Sequence, residues 1–64
     1  MNFTVTESRP IGAGKNLLSI FIASPSALNE IPETIMRNAA VGSTAYTKDF
    51  AIYFYTGSGW ELSG

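Results

Sequence analysis

The stretch Phe50-Ala-Ile-Tyr-Phe-Tyr-Thr-Gly-Ser-Gly-Trp-Glu-Leu62 decides how this chain is read. Residues 50 to 56 carry the β-branched and aromatic side chains that fit a pleated surface. Gly57-Ser58 then suits a two-residue type II′ hairpin turn, in which glycine takes the first central position and its positive φ. That turn sets the register. Tyr55 falls opposite Trp60 and Tyr53 opposite Leu62, so one face carries Tyr53, Tyr55, Trp60 and Leu62 while the other carries Phe50, Ile52 and Phe54. Three-residue closure through Gly59 is the competing register and would pair Phe54 with Leu62. Cross-strand aromatic pairs contribute roughly 0.2–1 kcal/mol each. Both faces of the predicted hairpin are apolar. One can cover the domain's own core and the other needs a partner.

Working back along the chain, Thr44 to Lys48 reads as the strand before this hairpin, joined to it at Lys48-Asp49. Residues 2 to 7 alternate, with Phe3 and Val5 on one face and Thr4 and Thr6 on the other, which is the period of a half-buried strand. Pro10-Ile-Gly-Ala-Gly14 reads as a turn or loop. Residues 17 to 23 form a second strand with Leu18, Ile20 and Ile22 on one face and Leu17, Phe21 and Ala23 on the other. With both faces apolar, it is central or lies at an interface. Between the strands, Pro25 opens a short helical turn with Ser24 as its N-cap, and Pro32 opens another through Asn38 with Glu33 in its first turn. The expected fold is mainly β: one small antiparallel domain over 1–64, of four to five strands, with one or two short helical turns in the 25–40 connector.

Composition narrows the function. At 64 residues, a domain buries about 60% of its unfolded surface and is marginal alone. Chains of this size usually lean on disulfides, a metal or a partner. There is no cysteine and no histidine, and Glu7, Glu30, Glu33, Asp49 and Glu61 are scattered, so neither a disulfide nor a metal site is expected. Self-association or docking on a larger body is left. Charged residues make up 14% of the chain and hydrophobic ones 45%, with a net charge of −1. Arg9, Lys15, Arg37 and Lys48 do not cluster, so nucleic acid is not an expected partner. The longest apolar stretch, Leu17 to Ala23, falls far short of the roughly 20 residues that span a bilayer, and no membrane role is expected.

The chemical motifs are weak. Gly12-Ala-Gly14-Lys15 resembles part of a phosphate loop, but the required earlier glycine is Arg9 and the Ser or Thr after the lysine is Asn16. The third glycine of a dinucleotide fingerprint is Leu17. Glu30 and Glu33 flank Pro32 with nothing to split their pKa values. No Ser or Thr has a histidine to activate it. No catalytic residues, cofactor or metal ligands are therefore assigned, and the chain is read as non-enzymatic. Tyr46, Tyr53, Tyr55 and Trp60 form a potential aromatic platform for a sugar or base, although single-strand nucleic-acid sites also need a basic groove.

Val41-Gly-Ser-Thr-Ala-Tyr-Thr-Lys-Asp49 followed by Ile52-Tyr-Phe-Tyr-Thr-Gly-Ser-Gly-Trp60 resembles a pattern of small tailed-bacteriophage virion structural proteins, associated with head, neck or tail. The connector Leu28-Asn-Glu-Ile-Pro32 also fits. The resemblance covers the C-terminal half, and residues 1 to 24 add only a strand pair. It implies a virion part without enzymatic residues, made in the host cytoplasm. Its partners would be other virion proteins and copies of itself as a homo-oligomer, and it would dock through the aromatic hairpin. The expected interface residues are Phe21, Tyr46, Tyr53, Tyr55, Trp60 and Leu62. Two alternatives stand beside it: a small phage-encoded protein that modulates a host protein, and a carbohydrate-binding fibre module.

Overall fold

A computed structural model of the chain describes residues 2–63. Five strands form one sheet in chain order: β1 (Phe3–Gly12), β2 (Lys15–Ile22), β3 (Thr44–Tyr46), β4 (Ile52–Tyr55) and β5 (Trp60–Ser63). The connector holds a 3₁₀ turn (Pro25–Glu30) and a single helical turn, α1 (Glu33–Met36). The small, mainly β domain with short helical turns is therefore observed. Three neighbouring pairs are antiparallel, and β2 and β3 are parallel. A parallel pair cannot be closed by a tight turn, and the 25–40 connector is the crossover that joins it.

β1 is longer than the alternation of residues 2 to 7 predicts. It continues through Pro10, and only Ala13-Gly14 turns, with φ of 56° and 73°. Two consecutive positive φ values mark a type I′ hairpin turn. Proline is tolerated because β1 is an edge strand. Its partner Asn16 directs its own N–H the other way, to the Asn38 carbonyl at 2.7 Å. Register shifts between Val5 and Glu7 and between Pro10 and Gly12 bend the strand. With the exposed Glu7–Arg9 pair, they guard that edge against further pairing.

The core lies on one side of the sheet. Leu18, Ile20 and Ile22 of β2 and Ala45 of β3 pack under Ala27, Ile31 and Ala39 of the connector. Ile20, Ile22, Ala27 and Ala45 are completely buried. Small residues at 27, 39 and 45 let the connector approach the sheet closely. Pro25 and Pro32 open the two helical pieces as expected, but the second stops at Met36, short of Asn38. Ser24 stands at the N-cap position in extended conformation but makes no capping bond; its hydroxyl meets that of Ser26 at 3.0 Å.

Between α1 and β3 the chain already runs beside β2. Asn16 bridges Ala39, and the Ala40 N–H donates to the Asn16 carbonyl at 2.8 Å. A tight turn at 40–43 then interrupts the ladder. Ser43 fills the break: its buried hydroxyl accepts from the Leu18 N–H (3.0 Å) and donates to the Ala40 carbonyl (2.8 Å).

The terminal hairpin has the expected register, with Tyr53 opposite Leu62, Tyr55 opposite Trp60 and Phe54 opposite Glu61. The Thr56 N–H donates to the Gly59 carbonyl at 2.8 Å, and Gly57 takes φ of 101° while Ser58 stays negative. A Cβ on Gly57 would also meet the Val41 side chain at 3.3 Å. Gly57→Ala should therefore cost about 1–2 kcal/mol, the penalty of an L-residue at left-handed φ. Chemical denaturation reads this directly. An unchanged midpoint would mean that the turn relaxes to another form.

One turn differs from its expectation. Strand β3 ends at Tyr46 and β4 begins at Ile52, so Lys48-Asp49 is not a two-residue link. The Phe50 N–H donates to the Thr47 carbonyl (3.0 Å), and the Thr47 N–H to that of Ala51 (3.0 Å). The loop is therefore the three-residue type, a type I turn followed by a left-handed residue. Phe50 occupies that left-handed position with φ of 65°, where glycine is usual. It does not extend the strand face of Ile52 and Phe54. The residue is 88% exposed.

Candidate interaction surface

Sheet register assigns every side chain to a face. Ile20, Ala45, Tyr53 and Leu62 stand in one row across the sheet, towards the core. Phe21, Tyr46, Ile52 and Ser63 form a row on the opposite face, and Ser19, Thr44, Phe54 and Glu61 form the next. The six residues expected to form one interface therefore divide. Tyr53, Tyr55 and Trp60 pack half-buried against the domain's own core, and Tyr55 and Trp60 sit 5.2 Å apart, centroid to centroid. Leu62 shares their face at the sheet edge and is mostly exposed. Phe21 and Tyr46 lie on the far side, in an edge-to-face contact at 5.5 Å. The reason for the division is the connector: it covers the face of Ile20, so the C-terminal aromatics of that face serve the core.

The far face has no covering layer within residues 2–63. Phe21 and Tyr46 are its half-buried centre. Ile52 and Phe54, 40% and 43% exposed, flank them. Alternation places both on the second hairpin face, outside the six residues expected to form the interface. Polar groups hold the surface in shape. The Tyr46 hydroxyl reaches across β2 to donate to Thr6 Oγ1 at 3.4 Å, and the Thr6 hydroxyl donates to the Ser19 carbonyl at 3.0 Å. Thr6 lies at the first register shift of β1, so the bulge supplies the hydroxyl that anchors Tyr46. Re-aiming a side chain is a common use of such bulges.

At the end of the sheet beyond Tyr46, the exposed loop Lys48-Asp49-Phe50 projects from the β3–β4 connection. At the other end, an open cleft of about 630 Å³ lies between the β1–β2 turn, α1 and the β4–β5 turn. Ile11, Met36, Val41 and Tyr55 supply its apolar walls, and Lys15, Arg37 and Glu33 its charges. Lys15 Nζ donates to the Arg37 carbonyl at 2.9 Å, at the end of α1. Among the described residues no three carboxylate, histidine or cysteine side chains converge on a metal-sized site, and no helix is long and apolar enough to cross a membrane. What the geometry provides is apolar surface on a rigid sheet. Comparison of the chain with protein-family models, curated proteins and solved structures produced no match.

Proposed function

We propose that this chain is a non-enzymatic structural part of a bacteriophage particle, which docks on capsid, neck or tail and associates with copies of itself. The phage assignment rests on the sequence resemblance of residues 28 to 60. The observation that carries the docking role is the uncovered sheet face of Phe21, Tyr46, Ile52 and Phe54. A monomer gains little from it: apolar side chains on a solvated face add no core, while the actual core is only a few aliphatic residues deep. A small core beside a bare aromatic face suits a chain that completes its burial on assembly.

The docking surface is tested with Ile52→Thr/Phe54→Thr. Both positions face outward, and threonine suits a strand, so the variant should melt within about 1 kcal/mol of the parent, on the scale of strand propensities. It should no longer co-sediment with phage particles that carry the parent protein. Unimpaired co-sedimentation would remove this face from the docking role.

A further inference from the structure

We infer that copies of this chain assemble head to tail, with Phe50 of one copy seated in the cleft at the opposite end of the next. The inference rests on the proposed self-association and specifies its contact. The knob is the β3–β4 loop, whose left-handed turn holds Phe50, 88% exposed, at its tip. The socket is the 630 Å³ cleft walled by Ile11, Met36, Val41 and Tyr55, roomy enough for a phenyl ring. Ile11 and Val41 are 56% and 68% exposed, so seating the ring would cover apolar surface on both partners.

Charge selects a second copy as the occupant. The knob carries Lys48 and Asp49 beside Phe50, and the socket carries Lys15, Arg37 and Glu33. Asp49 can meet Lys15 or Arg37 of the next copy while Lys48 meets its Glu33. Five of the chain's nine charged side chains, three basic and two acidic, thus lie at these two places, and each acid has a basic counterpart on the facing part. Complementary charges of this kind set register and partner choice.

Topology places knob and socket apart. β3 runs parallel to β2 and ends beside Phe21, so the knob lies beyond the Phe21 end of β2. The socket includes Lys15 at the start of β2, and Ala39, whose neighbour across the bridge is Asn16. With about 3.3 Å per strand residue, one copy cannot fill its own socket. The contact is heterologous, and a heterologous contact repeats into a ring or a filament instead of stopping at two. Such repetition is what a collar, tube or lattice component of a particle requires.

Sedimentation velocity over a concentration series tests this with two variants. Phe50→Gly removes the knob and leaves the socket. It also relieves the left-handed strain, so its melting midpoint should not fall. Ile11→Glu/Val41→Glu blocks the socket at two exposed positions and leaves the knob. The parent should grow beyond two copies as concentration rises, and each variant alone should stay monomeric. An equimolar mixture of the two variants should form a one-to-one complex that grows no further. Asp49→Lys should weaken assembly at least tenfold, and adding Arg37→Asp to the same chain should recover most of it. A parent that is monomeric throughout or stops at two copies would overturn the contact, as would a Phe50→Gly variant that still assembles or a mixture that forms no complex. A monomeric parent that still co-sediments with particles would refute this contact and the self-association it rests on, and leave the docking reading standing. Head-to-tail assembly by a chain that ignores particles would refute only the docking reading.

Discussion

Ile20→Ala is expected to leave the chain largely unfolded in plain buffer. Ile20 is completely buried at the middle of β2, between Val5 on β1 and Ala45 on β3, and belongs to the cluster beneath the connector. Truncating such a residue typically costs about 2–5 kcal/mol. Domains of this size rarely hold more than about 3–5 kcal/mol in total. The neighbours cannot close the gap cheaply, because Ala27, Ala39 and Ala45 are already small, and each is held by backbone hydrogen bonds or strand pairing. Ile20→Val should cost only about 0.5–1.5 kcal/mol and remain folded. Circular dichroism with a urea titration separates the two. A cooperative transition for Ile20→Ala close to that of the parent would show that the stability lies elsewhere than in this cluster.

Ser43→Ala should have the next largest effect, about 1–3 kcal/mol. The Ser43 side chain is completely buried and serves two backbone groups at once, the Leu18 N–H and the Ala40 carbonyl. Alanine fits the space and keeps the Ser43 N–H on the Ala40 carbonyl (3.1 Å), but leaves the Leu18 N–H without its partner in a place water does not reach, and the cost is chiefly the desolvation of that donor. The location sharpens the test. Amide exchange at Leu18 should accelerate in the variant more than at Ile20 or Ile22, since it is the Leu18 amide that bonds to the Ser43 hydroxyl. Uniform acceleration across β2 would point to a general loss of stability instead of an orphaned bond.

The sequence was most informative where local rules act alone. Alternation and the Gly57-Ser58 turn sufficed for the terminal hairpin, because a two-residue turn and a period of 2 leave one register. Alternation put Leu18, Ile20 and Ile22 on one side of β2 without telling which side the core takes, and the connector followed from its prolines. The parallel pairing of β2 with β3 was not legible, since no local pattern records which distant strand lies alongside. Pro10 concealed the second half of β1, because a proline argues against a strand until its position at the sheet edge is known. Phe50 concealed its own turn. Its spacing from Ile52 and Phe54 continues the alternation of β4, and only the three-residue loop takes it out. Ser43 carried no signal, for a serine after a glycine reads as ordinary loop.

The candidate surface was legible in part for a related reason. Parity showed that Tyr53, Tyr55, Trp60 and Leu62 share a face and that Ile52 and Phe54 share the other. It did not show which face the connector would cover. Tyrosine and tryptophan are the usual anchors of interfaces, which favoured the first face. The fold gives most of that face to the core and leaves Phe21, Tyr46, Ile52 and Phe54 to the outside. The cleft between the β1–β2 turn and α1 had no sequence signature at all, since Lys15, Glu33 and Arg37 meet only through the crossover.

The proposed role is tested most directly by counting copies of this chain in gradient-purified phage particles with isotope-labelled peptide standards. The expected result is a fixed number of several copies per particle, constant across preparations and resistant to salt washing. Absence from the particles, with the protein recovered as a one-to-one complex with a host protein, would contradict it.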